Sequence, residues 1–127
     1  MSVPFDPKII AMRSDADLSA LSWRAVKPNA DNDIDKATAG DEVIGVLTDD
    51  CKDGSSTAAF NSVQVGGIVK VEFGGTVTAG NSVKSDADGK AVYADTDYDV
   101  AFGVAIESGA LGDLGSVLFG RHTISVA

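Results

Sequence analysis

The sequence predicts an all-β fold, a small single-domain β-barrel or β-sandwich with an extended N-terminal arm. Three observations lead to this fold class. The chain has 127 residues, which suits one domain. Its 14 glycines separate short valine-rich runs, a pattern typical of many strands joined by turns. Apolar and polar side chains also alternate along a stretch near the middle of the chain.

That central stretch, Ser62–Gly75, shows the alternation most clearly. Its valines and its phenylalanine fall on odd positions, and Gln64, Lys70 and Glu72 fall between them. Because successive side chains of a strand point to opposite faces, the stretch has one apolar face and one polar face. Gly66-Gly67 interrupts the run, and glycine inside a strand often marks a bulge or a bend. The pattern predicts one long bent strand or two strands that meet at a corner.

Residues 1–12 are predicted to form the extended arm, and residues 13–127 the β-rich domain. Pro4 and Pro7 fix their own φ angles and favour extended conformations in the residues before them. The segment is unusually apolar for a chain terminus, so it either packs against its own domain or docks on another chain, for example at a sheet edge. The apolar residues predicted to contact the other chain are Val3, Phe5, Ile9 and Ile10.

Two further elements are predicted between the arm and the central stretch. Arg13–Ala20 contains aspartates that could cap a helical turn or two, with leucines as its apolar side. Trp23–Val26 begins the first strand-like run. A turn at Ala39–Asp41 then leads into a short apolar strand that reaches Leu47.

The second half of the chain contains clear turn signals. Ala79–Asn81 repeats the pattern of the turn at Ala39–Asp41, which indicates two copies of the same turn followed by a strand. The Asp-Gly pair within Asp86–Lys90 predicts a β-hairpin. Val100–Glu107 is apolar at nearly every position and is predicted to be a strand buried on both faces. The runs predicted to complete the sheet are Ser116–Phe119 and Thr123–Val126.

Composition argues against several classes of partner. The formal net charge is −9, which opposes binding to DNA or RNA phosphates and to anionic membrane surfaces. We therefore expect neither a nucleic-acid partner nor a membrane partner. Cys51 is the only cysteine, so no intrachain disulfide can form. Met1–Met12 lacks the continuous apolar core of a signal peptide, and we expect synthesis in a cytoplasm.

The sequence contains no recognisable catalytic constellation. His122 is the only histidine, and Ser–His catalysis requires partners placed around it in space. Ser116 and Asp113 are close to it in sequence, which says nothing about geometry. We therefore predict a protein that is not an enzyme, with no catalytic residues and no cofactor.

Two acidic runs partly match a calcium-binding loop. Asp31–Glu42 has aspartates at alternate positions and a glutamate at the twelfth, and Asp95–Asp99 repeats the alternate spacing. Lys36 and Val100 occupy the positions where such a loop requires glycine. Both runs are interpreted as solvated loops without metal ligands, and calcium binding stays open.

Six glycine- and valine-rich motifs stand in a recognisable order between residues 37 and 120. They are Ala39–Leu47, Val69–Val71, Val77–Val83, Asp88–Ala91, Phe102–Ser108 and Gly115–Phe119. In this order they resemble the bacteriophage capsid cement proteins, also called head decoration proteins. Members of that family are small β-rich proteins that bind the outside of an icosahedral head. The resemblance includes no catalytic motif, and it leaves residues 1–36 uncovered.

The resemblance implies a non-enzymatic structural virion protein that binds the outer surface of a phage capsid and stabilises the expanded head by bridging capsid subunits. It implies two partners, the major capsid protein and further copies of the chain, in a homotrimer or, less often, another oligomer. The location would be the capsid exterior after synthesis in the host bacterial cytoplasm. The alternative is a monomeric β-domain that binds glycan or another surface ligand. In the capsid interpretation, Val3, Phe5, Ile9 and Ile10 contact the capsid or a neighbouring subunit.

Overall fold

The computed structural model describes residues 8–49, 51–96 and 98–124, and these residues form ten β-strands without a helix. The all-β prediction is confirmed. The strands are β1 Lys8–Ser14, β2 Ala25–Pro28, β3 Ile34–Lys36, β4 Gly45–Leu47, β5 Ala59–Gly66, β6 Ile68–Glu72, β7 Ser82–Ser85, β8 Ala91–Tyr93, β9 Val100–Ala105 and β10 Leu114–Thr123.

The strands form two five-stranded sheets. The strand order is β1-β5-β4-β2-β3 in the first sheet and β6-β10-β9-β7-β8 in the second. Neighbouring strands are antiparallel throughout both sheets. The two sheets do not close into one barrel and instead pack as a sandwich. Of the two architectures predicted, the structure is therefore the sandwich.

The central stretch forms the corner between the two sheets. β5 ends at Gly66 in the first sheet, β6 begins at Ile68 in the second, and Gly67 alone connects them with a φ of 77°. Glycine adopts this left-handed conformation without steric cost. The side-chain amide of Gln64 donates to the carbonyls of Gly66 at 3.0 Å and Ile68 at 2.8 Å, which holds the corner. The stretch is thus two strands that meet at a corner, the second of the predicted alternatives.

Two apolar cores lie on opposite faces of the first sheet. Ala25 and Val46 belong to the larger core, which the first sheet shares with the second. Val26 and Leu47, the next residues along the same strands, belong to the smaller core. The period-two alternation of strands therefore places consecutive apolar residues in different cores.

The predicted hairpin belongs to the second sheet, and its turn contacts the first sheet. β7 and β8 pair antiparallel around Asp86–Lys90, so the hairpin prediction is confirmed. Its turn docks on the first sheet, where the backbone N–H of Ala25 donates to the carbonyl of Gly89 at 2.8 Å. Arg24 Nη1 donates to the carbonyl of Asp88 at 3.0 Å. These bonds fix how the second sheet lies against the first.

The echo between the two Ala-Gly turns is confirmed, and a third turn of the same geometry follows. Thr38–Asp41, Thr78–Asn81 and Ala110–Asp113 each close with a hydrogen bond from the fourth N–H to the first carbonyl, at 3.2, 2.9 and 3.0 Å. The third residue of each turn is glycine, with φ of 74°, 94° and 88°. This is the geometry of a type II turn. The third copy has a different sequence before its glycine, which is why the sequence echo does not reveal it.

The helical turn predicted over Arg13–Ala20 is wrong. The range begins inside β1, and Asp17 forms an isolated antiparallel bridge with Asp53. The Asp17 carboxylate accepts a hydrogen bond from the backbone N–H of Ser19 at 3.0 Å. An aspartate that accepts from the N–H two residues later stabilises a tight turn as readily as a helix start, so this residue type alone does not distinguish the two elements.

The predicted arm overlaps the first strand. Residues 1–7 lie outside the described residues, and residues 8–12 are extended and belong to β1. β1 pairs antiparallel with β5 from Lys8 opposite Gly66 to Ser14 opposite Ala59. The boundary predicted after residue 12 therefore falls within β1, and the division into an arm and a domain stays a prediction.

The packing around Phe73 yields a stability prediction. Phe73 is fully buried, and a methyl group on Gly115 would overlap its ring. We expect Gly115→Ala to lower the free energy of unfolding by about 2 kcal/mol, because the packed core leaves the ring no room to move. Gly120→Ala, on the same strand, meets nothing within 4 Å and serves as the control. Denaturant unfolding measures both, and equal stability of the two variants would contradict the packing argument.

Candidate binding surfaces

The edge strand β1 brings two of the four predicted contact residues together. Ile9 and Ile10 are 55% and 48% exposed on this strand. β1 has β5 on one side, and no other described strand pairs with it. An edge strand presents unpaired N–H and C=O groups that can accept a strand from another chain. The other two predicted residues, Val3 and Phe5, lie outside the described residues.

A groove opens between the two edge strands of the first sheet. β1 and β3 stand at opposite ends of the strand order, yet they approach each other because the sheet curls. Arg13 on β1 reaches across, and its Nε lies 3.0 Å from Oδ1 of Asp33, just before β3. The groove has a volume of about 500 Å³ and is also lined by Met12, Ile44 and Phe60. We call this groove the seam.

An apolar row crosses the outer face of the second sheet. Leu118 on β10 is 52% exposed and stands opposite Ile68 of β6 and Val104 of β9. Ile106 and Leu114 are exposed nearby in the chain. Exposed apolar clusters on a small protein often mark contact surfaces. Val117 and Leu118 are consecutive apolar residues on β10 and point to opposite faces, so the sequence alone does not show that Leu118 is the exposed one.

The first acidic run predicted as a loop does not assemble a metal site. Asp33 is buried beside Arg13, whereas Glu42 pairs with Arg121 at 2.7 Å. Asp35 accepts a hydrogen bond from the side-chain amide of Asn29 at 3.1 Å. Among the described residues, no group of three or more His, Cys, Asp or Glu side chains is placed to hold a metal ion. In the second run, Asp97 lies outside the described residues.

Several described aspartates accept hydrogen bonds from backbone N–H groups in turns. Asp41 accepts from the hydroxyl of Thr38 at 2.6 Å and from its N–H at 2.7 Å, and Lys27 Nζ lies 3.0 Å away. These contacts lower the pKa of Asp41 to about 2. Lys84 donates to Asp99 at 2.8 Å and is the main cause that lowers the pKa of Asp99. Asp41 therefore stabilises the turn in which it lies.

His122 has a partner that the sequence did not indicate. Its Nε2 lies 2.9 Å from the hydroxyl of Ser82, and its Nδ1 lies 3.0 Å from the carbonyl of Gly120. A carbonyl can only accept, so Nδ1 carries a proton, and in the neutral imidazole Nε2 then accepts from the serine. In a catalytic triad, a carboxylate accepts the hydrogen bond from histidine Nδ1. In this protein, a backbone carbonyl accepts it instead. The pair bridges β7 to β10 next to the irregular pairing between Phe119 and His122.

Comparison with known proteins finds a likeness of fold. No model of a known family matches the chain, and no curated protein matches it. A solved structure does: the N base of head fiber gp8.5 in bacteriophage phi29. The TM-score is 0.73 and the sequence identity 19%, and the match covers 94% of this chain and 100% of that one.

This likeness shows a shared fold. The matching structure is itself part of a phage head fiber, so the shared fold is consistent with the resemblance to bacteriophage head decoration proteins drawn from the sequence motifs. No helix capable of spanning a membrane occurs in the part of the chain that the structure describes.

The contacts of Asp41 predict a pH dependence of stability. The folded pKa of about 2 lies below the ordinary value of 3.8, so the carboxylate stabilises the folded state above pH 3.8 and this contribution is lost as the pH falls through 2. We expect Asp41→Asn to lower the free energy of unfolding by about 1 kcal/mol at pH 7, after allowance for solvent screening.

Denaturant unfolding between pH 7 and pH 2 measures this effect. The difference between the wild type and Asp41→Asn should shrink as the pH falls below 4. Thr38→Val removes one donor to the same carboxylate and should show a smaller loss with the same pH trend. A difference that stays constant down to pH 2 would contradict the assigned role of Asp41.

Proposed function

We propose that the chain is a non-enzymatic structural protein of a phage virion, which binds the outer surface of the capsid and stabilises the expanded head by bridging capsid subunits. The observation that carries this proposal is the fold shared with the phi29 head fiber base over 94% of the chain. The net charge of −9 supports a location on the capsid exterior, because an acidic surface is repelled by packaged DNA.

The proposed surface for the major capsid protein is the β1 edge. Ile9 and Ile10 are about half exposed there, and burial of such a side chain stabilises a complex by roughly 1.5–3 kcal/mol at most. The free edge adds backbone hydrogen bonds to a partner strand. Val3 and Phe5 precede β1 in the chain and would extend the same contact.

The proposed homotrimer forms through the apolar row of the second sheet. Leu118, Ile68 and Val104 lie on neighbouring strands of that sheet, and association of copies would remove them from water. β1 belongs to the other sheet and would stay free for the capsid. Several β1 edges on one trimer would then bind with avidity, so that each edge can be individually weak.

Co-sedimentation with expanded, undecorated heads of the source phage tests the proposal, with the unexpanded precursor as the control shell. We expect saturable binding to expanded heads at one chain per capsid subunit or a simple fraction of that ratio. Binding to neither shell would contradict the proposal. Saturable binding of a monomer to glycan would then support the alternative function.

The contact role of β1 gives a sharper prediction. We expect the double substitution Ile9→Ser and Ile10→Ser to weaken binding to expanded heads roughly tenfold or more, because two apolar anchors are lost. Leu111→Ser is the control, since Leu111 is 69% exposed in a loop outside β1. Circular dichroism establishes that the variants are folded. Unchanged binding of the double variant would show that β1 is not the capsid contact.

The trimer makes a separate prediction. We expect Leu118→Lys to shift the protein from trimer to monomer, because a charge at the centre of the row cannot be buried without a partner. Leu111→Lys should leave the oligomer unchanged. Light scattering coupled to size-exclusion chromatography measures the mass. A wild type that is already monomeric, or a Leu118→Lys variant that remains a trimer, would exclude the row as the self-association surface.

A further inference from the structure

The seam contains a carboxylate whose position is not explained by the fold alone. Asp33 is 2% exposed, and neither of its carboxylate oxygens accepts a hydrogen bond from any described residue. Arg13 Nε lies at an ion-pair distance of 3.0 Å from Oδ1 without forming a hydrogen bond to it, and the arginine side chain is 52% exposed. A buried charge without hydrogen bonds is costly, because it has lost its water and gained little in return.

The turn that holds Asp33 does not need this carboxylate. The side chain of Asn29 accepts hydrogen bonds from the N–H groups of Asp31 at 2.9 Å and Asp33 at 3.1 Å. The backbone N–H of Asn29 donates to the carbonyl of Asp33 at 2.8 Å. Asp41 uses its own carboxylate to form its turn, whereas at this turn Asn29 supplies that function. The turn therefore does not use the Asp33 carboxylate, which lies in the seam beside Arg13.

The walls of the seam indicate what kind of group would bind there. Met12, Ile34 and Ile44 are apolar, and Phe60 is 58% exposed at the rim. An apolar passage that leads to a buried carboxylate suits a cationic head on an apolar stem, as in lysine and arginine side chains. The adjacent free edges of β1 and β3 suit an extended backbone.

We propose that the seam binds an extended segment of the major capsid protein, and that a lysine or arginine side chain of that segment donates hydrogen bonds to Asp33. This inference rests on the proposed capsid-binding function and assigns it a specific recognition site. The net charge of −9 favours a basic segment over an acidic or neutral one. Binding supplies the donors that the fold does not provide to Asp33.

The first test compares Asp33→Asn with Asp31→Asn in co-sedimentation with expanded heads. Both substitutions remove one negative charge from the same hairpin, but Asp31 is exposed whereas Asp33 is buried in the seam. We expect Asp33→Asn to weaken binding about 30-fold or more, as for the loss of one partner of a buried charge pair, and Asp31→Asn to bind as the wild type does. Equal binding of all three proteins would overturn the seam proposal.

Arg13→Gln distinguishes recognition of the capsid segment by Asp33 from an Arg13–Asp33 ion pair that only stabilises the fold. If the capsid segment supplies the donor, Arg13→Gln should bind expanded heads at least as tightly as the wild type, because the partner's basic group replaces the arginine. If Arg13 and Asp33 only hold the sheet together, both variants should lose thermal stability and binding in parallel. That parallel loss would overturn the proposal.

A photo-crosslink identifies the occupant in a protein whose Asp33 is intact. Phe60→p-benzoylphenylalanine places a reactive group at the rim of the seam. We expect irradiation of decorated expanded heads to link it to a capsid-protein peptide that contains lysine or arginine. A link only to another copy of the chain, or no link, would overturn the proposal. Failure of the wild type to bind heads at all would instead reject the proposed function, so the two failures are distinguishable.

Discussion

The fold depends on the corner at Gly67, where one residue carries the chain from one sheet to the other. β5 pairs with β1 and β4 before the corner, and β6 pairs with β10 after it. A φ of 77° at this position turns the strand direction, and Gln64 holds the carbonyls on both sides. Because side chains alternate faces, a slip of one residue at the corner would exchange the core and solvent faces of β6. The register of β6 in the larger core therefore depends on this connection.

Local chemistry explains which parts of the fold could be predicted from the sequence. The corner and the hairpin each require a glycine at a fixed place between strand-like runs, and that requirement is visible in the sequence. The helical turn was predicted wrongly because Asp17 performs the same N–H capping in a turn as at a helix start. The choice between barrel and sandwich depends on which strands share a sheet, and no local pattern encodes that pairing.

The binding surfaces could also be predicted only in part from the sequence. The apolar character of Ile9 and Ile10 is visible in the sequence, but their place on an edge strand follows from pairing with β5, about 50 residues away. The seam could not be predicted, since Arg13 and Asp33 meet only because the first sheet curls. Sequence alone assigns Asp33 to an acidic loop with its neighbours. Burial without a hydrogen bond, which separates it from them, is a property of the folded protein.

The four sheet edges differ in how well they are protected against pairing with another chain. β3 and β8 have only three residues each, and very short edge strands limit edge pairing. Both longer edges carry charged residues, Lys70 and Glu72 on β6 and Lys8 and Arg13 on β1. β1 has seven residues, and Ile9 and Ile10 are exposed on it. β1 is the longest of the described edge strands, and exposed apolar side chains on a long edge favour aggregation in a protein that has no partner there. The contrast among the four edges supports β1, together with the adjoining seam, as the place where another polypeptide binds.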